Sequence, residues 1–75
     1  MTPVEIALRQ AERDLAVAEK RVIEQQQSVK AIERGTAARE QAERELTRLL
    51  DAYALARSAL DARMHEARDA EKEKR

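Results

Sequence analysis

His65, the one histidine of the chain, stands between two carboxylates at helical spacing. Asp61 lies one turn before it, Asp69 one turn after, and Glu66 is adjacent. Imidazole and carboxylates four residues apart share a helix face and could touch one metal ion. Zinc, however, needs four ligands and a hydrogen-bonded support behind them. One exposed helix face supplies neither, so these residues read as a solvated face with local ion pairs. Tyr53, the only aromatic residue, reads as the large member of an apolar seam with its hydroxyl at the edge. The run Arg39-Glu40-Gln41-Ala42-Glu43-Arg44-Glu45 has the alternating charge of a solvated helix face rather than of a docking face. There is no Ser/His/Asp constellation, nucleophile elbow or phosphate-cradling glycine loop. The chain has no cysteine, and so neither thiolate chemistry nor a disulfide framework. The reading is non-enzymatic, with no catalytic, cofactor-binding or metal-ligating residues.

Charge narrows the partners. Residues 1–34 carry six basic and six acidic side chains, and residues 36–75 carry nine of each. Neither half has the positive excess that displaces counterions from nucleic acid or holds an anionic membrane. Thr2-Pro3-Val4-Glu5 has none of the basic and apolar regions of a signal peptide. The longest apolar run, Ala52-Tyr53-Ala54-Leu55-Ala56, falls far short of a membrane span. No nucleic acid, no membrane and a cytoplasmic location are the expectations.

Any functional surface must therefore be carried by helices. Charged residues make up 40% of the 75-residue chain and apolar ones 43%; this is the composition of a coiled coil rather than of a disordered segment. Thr2-Pro3-Val4-Glu5 reads as a capping box: Thr2 is the cap, Pro3 the first helical residue, and the Glu5 side chain reaches back. Helix 1 is expected over about 3–34, where Val4, Leu8, Ala11, Leu15, Ala18, Val22, Gln25, Val29 and Ile32 alternate spacings of four and three. With Leu8 as heptad position a, the e positions are Glu5, Glu12, Glu19, Gln26 and Glu33, an acidic edge. Gln25 is the polar member of the seam. Two readings stand: a buried layer that fixes register, or a side chain that merely reaches water, the second being preferred.

The repeat breaks at Gly35, the only glycine. Helix 2, over about 37–69, uses Ala42, Leu46, Leu49, Tyr53, Ala56, Leu60 and Ala67, flanked by Leu50 and Met64. A continuous helix would have to overwind to join the two stripes. A turn at Gly35-Thr36 is simpler: Gly35 ends helix 1 in a left-handed conformation and Thr36 caps helix 2. Residues 70–75 are expected to fray for want of apolar contact. In the resulting antiparallel coiled-coil hairpin, facing residue numbers sum to about 71, and large residues meet small ones, Tyr53 facing Ala18. Arg57 falls near Glu12 on the flank. Within helix 2, Glu40–Arg44, Arg39–Glu43 and Arg57–Asp61 have ion-pair spacing.

The fold class is thus all-α, a single hairpin module over 1–75. A domain this small usually needs oligomerisation, a metal or disulfides to be stable. Outside the seam lie further apolar residues: Ala52, Leu55, Ala59 and Ala62 beside Leu49 on helix 2, and Ile6, Val17 and Ile23 on helix 1. A helix apolar on more than one face is usually buried on more than one. These eight residues are the candidate interaction surface, pairing two hairpins into a four-helix bundle or taking a partner's helix.

Thr-Pro-x-Glu-Ile at the start, an Ala/Glu/Arg-rich helix, the Gln25-Gln26-Gln27 segment, Ile32-Glu33-Arg34-Gly35, and a second helix carrying Leu49-Leu50 together resemble short uncharacterised helical-hairpin proteins of proteobacteria. The resemblance spans most of the chain. It implies a stand-alone bacterial hairpin and brings no catalytic residues. The function expected is a protein–protein interaction or structural module, either a homo-oligomer (a dimer of hairpins) or a binder of a helical partner. The alternative is a small regulatory protein that binds a transcription or signalling component. Direct DNA contact is disfavoured by the balanced charge and the lack of a helix-turn-helix pattern.

Overall fold

The computed structural model describes residues 1–73. Two helices, α1 (Pro3–Ala31) and α2 (Ala37–Glu73), fold back on each other as a hairpin, a rod of 60 × 16 × 13 Å. A single unbroken helix of this chain would be roughly 110 Å long.

The start of α1 follows from its first residues. Thr2 is extended and its hydroxyl accepts the Glu5 N–H at 3.2 Å, with Pro3 opening the helix. That satisfies one of the orphan donors of a helix N-terminus. The reciprocal bond from the Glu5 side chain is not formed.

Helix α1 ends at Ala31, three residues before the end expected from sequence. Ile32 is extended (φ −92°, ψ 136°), and its N–H still reaches the Val29 carbonyl. The chain must cross from one helix axis to the other, a separation of about 8–10 Å. A glycine alone does not span it, so the whole segment 32–36 leaves the helical conformation. Gly35 does take positive φ, +80°. It does so inside the turn, where such a conformation favours glycine, and not as the residue that ends α1. Thr36 caps α2 as expected: its hydroxyl accepts the Arg39 N–H at 3.1 Å and donates to the Glu33 carbonyl at 2.8 Å.

Helix α2 continues to Glu73, past the expected end at Asp69. Ala70 is half-buried and lines a groove with Thr2, Val4 and Ala67. This is the apolar contact that the frayed-tail expectation missed. The rest of that expectation, on residues 74–75, lies outside the described residues.

The core is one seam. Every expected seam residue of both helices is buried or half-buried. Among the described residues only Ala11, Val22 and Val29 are buried, all on α1, and α2 has no buried residue. Leu50 and Met64 sit exposed on the rim. Gln25 departs from its preferred reading. It is half-buried, and its side-chain amide donates to the Ala42 carbonyl of the other helix at 2.9 Å. A carbonyl oxygen has two lone pairs, so Ala42 can accept this bond beside its helical one, and its methyl leaves room for the approach.

Candidate functional site

The heptad letters divide the outer surface. With Leu46 as position a on α2, Ala52 and Ala59 are g and Leu55 and Ala62 are c. On α1, Val17 is c and Asp14 and Arg21 are g. In an antiparallel pair the g rows of the two helices border one side of the seam and the e rows the other. The geometry agrees: Asp14, Val17 and Arg21 of α1 line one groove with Leu49, Ala52 and Ala56 of α2. Leu49 and Ala56 are its floor. Val17 is half exposed, and Leu55, at position c of α2, is 73% exposed, more than any other large apolar residue.

The eight expected interaction residues therefore separate. Val17, Leu49 and Ala52 meet in the groove, and Leu55, Ala59 and Ala62 follow Ala52 along the same face of α2 by their g and c positions, all three exposed. Ile6, at position f, and Ile23, at position b, are exposed as well but lie on other sides of α1.

Charged groups organise the two ends. At the turn, Arg39 is only 19% exposed along its side chain. Its Nη1 donates to the Ile32 carbonyl at 3.0 Å and its Nε to Glu43 at 3.1 Å, so one guanidinium ties the end of α1 to the start of α2. Sequence reading placed Arg39 on a solvated face. The signal that would have found it is its position seven residues before Leu46 in the α2 repeat. Arg63 likewise occupies a seam position between Leu60 and Ala67, and turns outward to hold both oxygens of Glu66 at 2.7 and 2.9 Å. Of the ion pairs expected, Arg39–Glu43 forms. Glu40–Arg44, Arg57–Asp61 and Arg57–Glu12 are not among those within 4.0 Å in the described residues, where Lys20–Glu24, Arg48–Glu45 and Arg63–Glu66 complete the set.

His65 points its Nδ1 at the backbone carbonyl of Asp61, 2.9 Å away, and Glu66 is engaged by Arg63. Among the described residues no three His, Cys, Asp or Glu side chains are grouped to hold a metal ion. Tyr53 is half-buried in the seam. No described helix is long and apolar enough to cross a membrane.

No family model matches the chain, no curated protein is significantly similar to it, and no solved structure matches it. The physical surface is what defines the molecule: an all-α hairpin with a thin core, an exposed apolar row on α2 and a groove beside it rimmed by Asp14 and Arg21.

Proposed function

We propose that the chain is a non-enzymatic protein–protein interaction or structural module that works through its helices, by self-association or by taking a partner's helix into the groove between α1 and α2. The observation that carries this reading is the exposure of Leu55, 73%, in a row with Ala52, Ala59 and Ala62 and across from Val17. A continuous apolar row on a helix with no buried residue of its own is surface that association would cover. Balanced charge along both helices supports a protein partner over nucleic acid.

The test is sedimentation of the full chain over a wide concentration range, with a parallel capture of partners from cell extract, each repeated with Leu55→Glu. Association with itself or with one defined helical partner, lost in the variant, is the expected result. A wild-type chain that stays monomeric and captures nothing overturns the reading. So does capture that Leu55→Glu leaves unchanged.

A further inference from the structure

Resting on that reading, we infer that the occupant of the groove is a second copy of this chain, docked antiparallel about a two-fold axis, with Asp14 of each copy against the partner's Arg21. The first support is area. The hairpin exposes 6167 Å², whereas a globular monomer of 8.6 kDa exposes about 4,700 Å². The excess, about 1,500 Å², is more than the roughly 800 Å² that one partner contributes to a stable interface. The rod therefore has enough uncovered surface for one further copy.

The second support is the charge pattern of the groove. Asp14 and Arg21 stand seven residues apart on one rim, both exposed, with Val17 between them. Asp14 accepts only a hydrogen bond from Gln10. Neither Asp14 nor Arg21 has an ion-pair partner among the described residues. A two-fold axis midway between them makes the rim its own complement, giving two reciprocal ion pairs with the Val17 side chains meeting between them. Isologous interfaces require this kind of self-complementarity.

The third support is that the same axis suits α2 without adjustment. Facing residues within the hairpin sum to about 71, a register shared by Ile32 and Arg39, which are bonded across the turn, and by Val4 and Ala67, which line one groove. The level midway between Asp14 and Arg21 on α1 is therefore the level midway between Ala52 and Leu55 on α2. The axis sets the exposed Leu55 of each copy over the partner's Ala52, a large residue on a small one. Farther out, Arg48 falls opposite the partner's Ala59 and Glu45 opposite the partner's Ala62. No like charges meet along the row. The level is also close to the middle of α2 (Ala37–Glu73), so the two hairpins overlap over nearly their whole length as a four-helix bundle.

The charges supply the test. In full-length chains, Asp14→Arg alone or Arg21→Asp alone sets like charges face to face at both pairs. Each should weaken the dimer by about tenfold or more. An equimolar mixture of the two variants should recover it, because each then meets its opposite, and the double variant should self-associate like the wild type. The chain has no cysteine, which allows a geometric readout. Val17→Cys, beside the axis, should oxidise to a disulfide-linked dimer, while Ala62→Cys, about 25 Å from its own copy, should not. A wild type that dimerises while both single variants dimerise equally well overturns this docking but leaves self-association standing. Cross-linking through Ala62→Cys but not Val17→Cys does the same. A wild type that is monomeric at every concentration overturns both this docking and the self-association arm of the function.

Discussion

Gly35 has φ +80°, and a Cβ built on it would meet no heavy atom within 4 Å. The strain of Gly35→Ala is therefore purely conformational, about 1 kcal/mol of lost stability, read as a lower denaturation midpoint. In a continuous helix the same change would stabilise, so the sign of the shift reports the turn. Arg39 makes a sharper case. Its fork reaches the Ile32 carbonyl and Glu43 together, which the point charge of lysine cannot do. Arg39→Lys should cost about 1 kcal/mol and should loosen residues 32–36, seen as faster amide exchange there. The seam position of Arg39 was legible in the spacing from Leu46, but its bond to the Ile32 carbonyl and that of Gln25 to the Ala42 carbonyl were not. Each depends on which backbone carbonyl the fold brings within reach, and residue type does not report that. The cap at Thr2 was legible because its partner is three residues away.

At the scale of the helices, alternation of four and three was enough to name the seam, since a side chain's face on a helix follows from its number alone. The ends were harder. Nothing in Ala31-Ile32-Glu33-Arg34 forbids helix, and α1 stops at Ala31 because the chain has to reach α2, a demand of the fold rather than of the segment. Helix α2 outruns Asp69 because Ala70, three residues after Ala67, keeps one more contact with the start of α1. The side of the hairpin on which each outer apolar residue lies is legible in the same way as the seam: Ile6 at f and Ile23 at b part from Val17 at c once the outer residues are sorted by heptad letter and not only as outside the seam. Burial is unequal along the rod. Val22 and Val29, two of the three buried residues, lie toward the turn, where Gln25 and Arg39 add bonds between the helices or across the turn. Amide exchange should be slowest from Val22 to Val29 and in the facing turns of α2, and fastest at the open end around Val4 and Ala67. Uniform protection along both helices would mean that stability comes from outside the seam.

For the molecule as a whole, the thin core sets the expectation. Three buried side chains among the described residues are few for a domain of this size, and such domains commonly depend on a partner for stability. Leu55 isolates that dependence. It is 73% exposed within the hairpin, and leucine and glutamate have similar helix propensities, so Leu55→Glu should hardly alter an isolated chain. If two copies fold together, melting is a dimer-to-monomer transition. Its unfolding enthalpy would be on the order of 100 kcal/mol for the pair, and the midpoint should rise by about 5 °C for each tenfold increase in concentration. In Leu55→Glu the carboxylate would be buried against the partner's Ala52 with nothing to pair it, which is costly. The variant should sediment as a monomer, melt lower, and lose the concentration dependence. Circular dichroism melts of both proteins at several concentrations make the comparison. Equal midpoints, independent of concentration in both, would mean that the seam alone holds the hairpin and that Leu55 is plain surface.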